Sequence, residues 1–417
     1  MKKFSFLPEF NKMRNQTVLL ILLIGWSISV SLATEAERAD EHDHPTRWNY
    51  EALRAWDKEK GLPKCFGTGK GVGIAVIEGP NFNIKHPVFE KTNITLIDFG
   101  GDNVSSRDSE RVHTYHANHV TALIAGSPQN VPVVEPVDFC DLMAIKQNNP
   151  LLYQAYKEAD TPIPSFYFYG GMAPEAQIYA YARKLDHVSE GNLPMDRECL
   201  LKIFSDIAQR PEIQLVNLSC RLAVDKDIIT VLNECARQGK IFIQAASNDY
   251  ELICGLSGES WSKRTDSGLI QFFGGSSPDS FLPIFKENIV RVGALACSKT
   301  PKAASKVILW QNHGEFNGGS SYFPSGDQRY VLAPGSCILS ANQEGYVIRS
   351  GCSVATPFVT GALANALERD IYLDRQVLLS SLSCANKTFE IEGQHDRTFS
   401  YFRMDSLFKS LFVWNKN

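Results

Sequence analysis

Ser353 stands in the run Gly351-Cys352-Ser353-Val354-Ala355-Thr356-Pro357, ahead of an apolar stretch, Phe358 to Leu367, that reads as a helix. A small-residue turn with a lone Ser opening a helix is a common way to present a nucleophile. The turn exposes the hydroxyl, and the N–H groups at the helix start favour an anion forming beside it. Helix starts also favour Ser because its hydroxyl caps backbone N–H groups. What lifts Ser353 above that plain capping role is its company: an acid, Glu78, closing an apolar strand, a His at a helix start, His116, and an amide, Asn248, after another apolar strand. An acid, an imidazole, a hydroxyl and an amide donor together supply what acyl transfer needs.

These residues need a frame that brings distant segments to one edge. Short apolar strands are expected at Gly73 to Ile77, Ile94 to Asp98, Gln177 to Ala182, Ile213 to Leu218, Ile241 to Ala246 and Ile289 to Ala294. Helices with apolar residues at three- and four-residue spacing are expected at Asp196 to Ala208 and Asp227 to Arg237. Continuous apolar strands alternating with helices predict an α/β fold of three layers, a mostly parallel sheet with helices on both faces. Ligands of such sheets sit at the carboxyl ends of the strands, and Glu78 and Asn248 both fall there. The stretch from Ser127 to Tyr169, with several prolines and the aromatics Phe139, Tyr153, Tyr156, Phe166, Tyr167 and Phe168, breaks the rhythm and reads as an insertion, a lid or a merely structural loop.

The 417 residues can bury a large core, and 44% hydrophobic with 21% charged residues is ordinary for a globular chain. A net charge of −4 with no long basic patch after the N-terminal segment argues against a nucleic-acid partner. Lys2, Lys3, Lys12 and Arg14 precede the apolar run Val18 to Leu32, with small residues at Ser31-Leu32-Ala33 and again at Ala36, the pattern of a signal peptide over residues 1–33. The folded part is therefore expected to be secreted or periplasmic; a membrane anchor follows only if that segment stays uncleaved. Residues 34–46 are acidic, carry His42 and His44, and read as a solvated linker. Ten cysteines without a C-x-x-C pair are compatible with disulfides in an exported chain, a Cys337–Cys352 bridge near the site among them, and equally with buried thiols.

In chain order, Val72-Gly73-Ile74-Ala75-Val76-Ile77-Glu78, then His116-Ala117-Asn118-His119-Val120-Thr121-Ala122, then Ile241-Phe242-Ile243-Gln244-Ala245-Ala246-Ser247-Asn248, and last Ala333-Pro334-Gly335 with Gly351-Cys352-Ser353-Val354-Ala355-Thr356-Pro357 resemble the motifs of the subtilisin-like serine proteases (subtilases, peptidase family S8). Gly171-Met172-Ala173-Pro174-Glu175-Ala176 and Val216-Asn217-Leu218-Ser219 are similar to the family's G-x-A-P-x-A turn and substrate-lining strand. The resemblance runs from about Trp48 to about Leu411 and places one peptidase domain over residues 47–417. It implies an endopeptidase acting on protein or peptide substrates. Ser353 would be nucleophile, His116 base, Glu78 orienter, Asn248 oxyanion donor, and Leu218, Ser219 and Arg221 would bind substrate. No cofactor or catalytic metal is implied. Calcium often stabilises this family, but no ligand set for it is identifiable here.

The departures are specific. Glu78 stands where the resemblance places Asp, adding a methylene and roughly 1 Å of reach. Ala117 and Ser247 stand where the family has Gly, Cys352, Val354 and Phe358 where it has Thr, Met and His, and Arg221 where it has a small residue. The region before Trp48 is too short for the inhibitory pro-domain of exported relatives. These departures sustain a rival reading: a weak or inactive subtilase-fold protein that binds peptides or partner proteins. Two further classes fall away. His113, His116 and His119 lack the H-E-x-x-H pattern of a zinc protease, and Gly67-Thr68-Gly69-Lys70-Gly71 precedes a strand, where a phosphate-binding loop would follow one.

Overall fold

The computed structural model describes residues 48–414 except 54, 58, 61, 65, 80–81, 100–115, 132–165, 184–196, 221, 225, 247, 249–269, 273–286, 298–306, 310, 313–317, 321–329, 371–372, 385 and 392–393. The signal-peptide and linker segments, His113, Arg221, Ser247 and the middle of the insertion therefore lie outside the described residues.

The frame is a twisted sheet built from β1 (Gly73–Glu78), β2 (Asn93–Asp98), β3 (Gln177–Ala182), β4 (Ile213–Leu218), β5 (Ile241–Ala245), β6 (Ile289–Cys297) and β7 (Tyr330–Pro334). These seven strands run parallel in the order β7-β6-β5-β4-β1-β3-β2. A hairpin of β8 (Asn386–Ile391) and β9 (Gln394–Phe402) extends the far edge, β9 meeting β7 in parallel at Leu332–Tyr401.

Each face of the sheet has its own core, and alternation along β1 shows why. Ile74 and Val76 pack on one side, Ala75 and Ile77 on the other, so a strand buried at every residue still obeys period 2. The first face is covered by α2 (His116–Ala125) and α5 (Cys352–Arg369), which follow a short α1 (Trp48–Ala52) in the chain and share their core with α6 (Arg375–Cys384) and α7 (Met404–Trp414). The second face is covered by α3 (Arg197–Gln209) and α4 (Lys226–Arg237). The surface pair α3 and α4 bury one stripe each, whereas α5 is buried from Val354 to Leu367 on every side. Helices on both faces of a parallel sheet match the expected three-layer α/β fold.

Predicted boundaries hold to within a residue or two, except at the end of β6, which runs three residues past the expected Ala294, and where α5 begins. The structure starts it at Cys352, six residues ahead of the expected Phe358, with Pro357 inside. Proline lacks the N–H that helix interiors use, which made the later start look natural. Ser353 thus lies within the first turn, and Gly351 occupies the cap without a side-chain bond, so the hydroxyl is not used for capping. The insertion leaves and returns through a short antiparallel pair, 129–131 against 166–168, which anchors its stem beside Gly170 and Gly171.

Candidate active site

Three elements deliver three side chains into one hydrogen-bonded line. β1 ends in Glu78, which is 3% exposed. His116 is the first residue of α2, the one residue of that helix not buried. Ser353 opens α5. His116 Nδ1 lies 3.0 Å from Glu78 Oε2, and His116 Nε2 lies 2.9 Å from Ser353 Oγ. With the carboxylate ionised, the proton sits on Nδ1, and Nε2 accepts from the Ser353 hydroxyl. Oε1 of Glu78 is buried with no hydrogen-bond partner.

The turn before Ser353 is held by backbone. Gly351 N–H donates to the Gly335 carbonyl at 2.7 Å, and Gly335 N–H to Leu295 at 2.9 Å. A Cβ on Gly335 would come within 2.6 Å of Ala294 Cβ and 2.7 Å of the Gly351 carbonyl, so only glycine lets β7 and the turn approach this closely. Asn248, just past β5, accepts the Cys352 N–H on Oδ1 at 2.9 Å. Its carbonyl takes the Gly319 N–H at 2.8 Å. With Oδ1 engaged, Nδ2 is the donor left over. A Cβ on Gly351, whose φ is +152°, would stand 3.2 Å from Asn248 Nδ2 and 3.3 Å from Ser353 Oγ. The absent side chain of Gly351 therefore leaves a small gap bounded by the hydroxyl and an amide donor.

The profile of the Peptidase_S8 subtilase family matches residues 69–378. The chain belongs to the subtilase family. Among solved structures, that of the SubAB subtilase cytotoxin assembly is similar at TM-score 0.54 and 14% identity, over 88% of this chain and 97% of that one. The PatG macrocyclase in complex with peptide is similar at TM-score 0.52 and 14% identity, over 89% of this chain and 99% of that one. A search of curated proteins gives no match.

In this subtilase the residues beyond β4 divide. Ser219 is 4% exposed and its Oγ accepts from Asn217 Nδ2 at 3.0 Å. Asn217 Oδ1 in turn accepts from Thr360 Oγ1 at 2.8 Å, tying β4 to α5. The Leu218 side chain is fully buried in the α3/α4 core, so of that residue only the backbone is left to meet a ligand. Strand alternation, applied one residue at a time, would have separated Ser219 from Leu218.

Behind His116, α2 is fastened to the hairpin of 338–341 and 346–349. Asn118 Nδ2 donates to Asn342 at 2.8 Å, His119 Nε2 to Ile338 at 3.1 Å, and Ser340 Oγ to the His119 carbonyl at 2.8 Å. Burial holds the His119 pKa well below the usual histidine value, with Arg349 and His116 acting in the same direction, so the ring is neutral.

The glycine run 67–71 also has a structural occupant. Glu368, near the end of α5, accepts from the N–H groups of Thr68 and Gly69, the latter at 2.8 Å. The loop that looks like an anion cradle is filled by the protein's own carboxylate. Cys337 and Cys352 are both buried thiols, as are Cys199 and Cys235, so the contemplated Cys337–Cys352 bridge is not formed. Cys352 donates to Ser320 Oγ at 3.4 Å beneath the nucleophile turn. Among the described residues no cluster of three His, Cys, Asp or Glu could hold a metal ion, and no helix is long and apolar enough to cross a membrane. Two residues of interest escaped sequence reasoning. Gly351 was read as a small turn residue, though its conformation is its contribution, and Arg183, a lone cation after the apolar run Gln177 to Ala182, was not singled out.

Proposed function

We propose that the protein is a serine endopeptidase that hydrolyses peptide bonds through Ser353, with His116 as general base and acid, Glu78 as orienter and Asn248 as oxyanion donor. The observation that carries this is the unbroken line from Glu78 Oε2 through both His116 nitrogens to Ser353 Oγ, 3.0 and 2.9 Å long. In this mechanism Ser353 attacks the carbonyl as its proton passes to His116 Nε2. Nδ1–H stays on Glu78, which stabilises the imidazolium. The gap beside Gly351 takes the developing oxyanion, facing Asn248 Nδ2 and the Ser353 backbone N–H; one such donor contributes about 3–4 kcal/mol in the transition state. The proton then goes from His116 to the leaving amine, and water repeats the sequence on the acyl-enzyme. We further propose that Glu78 replaces the family's Asp, and that residues 1–33 export the chain.

One observation favours the rival reading of a weak or inactive, peptide-binding subtilase. Glu78 Oε1 is buried without a partner, so this orienter is held by a single hydrogen bond. Labelling of the purified protein with a fluorophosphonate probe tests both. Labelling that disappears in Ser353→Ala is the expected result, with faster labelling in Glu78→Asp. No labelling of the native protein or of Glu78→Asp overturns the peptidase assignment.

A further inference from the structure

Arg183 directly follows β3, and its N–H donates to the Glu78 carbonyl at 3.1 Å, which puts it on the same rim as the candidate site. It is 6% exposed, and both Nε and Nη1 are buried with no hydrogen-bond partner. Two guanidinium nitrogens buried without an acceptor are an unfavourable arrangement in a folded chain, because they forfeit water and receive nothing in return. Such a group calls for an explanation, and an anion that arrives from elsewhere is one that guanidinium chemistry suits.

Glu78 is the nearest acid in sequence register, but its Oε2 is committed to His116 and no ion pair joins it to Arg183. Cys220, next along the chain from Ser219, lies on the same side of the rim. Its Sγ lies 3.8 Å from the Ile77 carbonyl, and the residue is half-buried. Burial pushes its thiol up to about 11, opposed by the positive field of Arg183 and reinforced by the negative field of Glu78. Arg183 and Cys220 both sit against the end of β1, Arg183 through the Glu78 carbonyl and Cys220 through that of Ile77.

We propose that Arg183 forms an anion-binding subsite of the substrate groove, so that this subtilase selects peptides carrying an Asp or Glu side chain at one position near the scissile bond. The proposal rests on the peptide-directed reading above and names the substrate class. A carboxylate that reaches Arg183 would accept from Nε and Nη1 in the bidentate manner that guanidinium geometry favours. A neutral Gln isostere would leave the cation unpaired, so discrimination comes from the unmet donors as much as from the new bonds.

The test uses the full mature chain carrying Ser353→Ala, which removes turnover and reads binding alone. Fluorescent octapeptide pools, each with Glu or Gln fixed at one position and the rest randomised, are titrated by anisotropy. One position is expected to favour the Glu pool at least ten-fold. That preference should vanish in Ser353→Ala/Arg183→Gln and survive in part in Ser353→Ala/Arg183→Lys. Equal binding of Glu and Gln pools at every position overturns the subsite whatever the variants do, and so does a preference that Arg183→Gln leaves intact. The two readings fail separately. A Glu preference without fluorophosphonate labelling of native protein sinks the hydrolase and keeps the subsite; labelling without a Glu preference does the reverse.

Discussion

The two ends of the candidate site are built differently. At the nucleophile end the constraints act on the backbone: Gly351 bonds to Gly335, Gly335 to Leu295, the Cys352 N–H is held by the Asn248 side chain, and a glycine contact leaves no room for a Cβ. At the acid end the constraints are side chains, and several buried polar atoms lack partners, Glu78 Oε1 and Arg183 Nε and Nη1 among them. Backbone bonds fix a hydroxyl and a donor gap with little side-chain freedom to lose. The acid end stores unmet electrostatic demand, which a substrate or a substitution can satisfy. The fold thus holds the attacking group rigidly and leaves the charge balance behind the base adjustable.

The largest effect should come from the acid end. Glu78→Gln keeps the shape but gives Nδ1–H no charged acceptor and permits the other tautomer, which leaves Nε2 protonated and unable to accept from Ser353. The expected loss is about 10⁴-fold in kcat on a fluorogenic peptide. A loss below ten-fold would mean that His116 needs no orienter, and the two ends would not differ as described.

The nucleophile end is broken by occupying the gap. Gly351→Ala would place its methyl 3.2 Å from Asn248 Nδ2 and 3.3 Å from Ser353 Oγ, in a backbone conformation that L residues rarely adopt. Asn248→Ala would remove the donor and release the Cys352 N–H. Each is expected to lower kcat by about 10²–10³-fold with little change in KM. If both singles and the double variant lose the same amount, the two residues act on one oxyanion. Additive losses would show that the gap beside Gly351 is not where charge develops.

How much of this could be read before folding follows from where the information resides. β3 and β4 are bounded to the residue by apolar runs, and their parallel burial follows from continuous apolarity. Glu78, His116, Ser353 and Asn248 come together because each closes or opens such an element; the strand-end rule put Glu78 and Asn248 on one rim, and the motif resemblance joined His116 and Ser353 to them. Leu218 was grouped with Ser219 as substrate-binding because motif matching works on segments, whereas the pleat sends the side chains of neighbours to opposite faces and that of Leu218 into the α3/α4 core. The start of α5 was missed because Pro357 signals a boundary locally, while packing of α5 against the sheet overrides it. Arg183 and the Gly351 gap were illegible for a deeper reason. Unmet donors and empty space are relations between distant segments, and no window of sequence contains them.

The smallest expected effect concerns the support behind the base. His119 is fully buried and neutral, and its folded pKa lies well below the usual value of about 6.5 that the unfolded chain retains. Below pH 6.5 the unfolded state therefore binds a proton that the folded state refuses, and stability falls as pH falls through that window; above it the term is flat. Of the groups facing the ring, Arg349 repels the added charge and His116 does so on its own protonation, while the Ile338 and Val347 carbonyls favour the charged ring without overcoming burial. His86 adds a lesser dependence of the same sign, lowered by burial. The slope attributable to His119 is at most about 1.4 kcal/mol per pH unit. Urea unfolding of native protein and His119→Gln at pH 7.5 and 5.5 measures it. Native protein should lose more stability between the two than His119→Gln does, even if the variant starts lower for want of the bond to Ile338. Equal losses would mean that His119 takes up its proton in the folded state, with the contact to Ile338 loosened and the hairpin no longer fastened to α2 in the way that steadies His116.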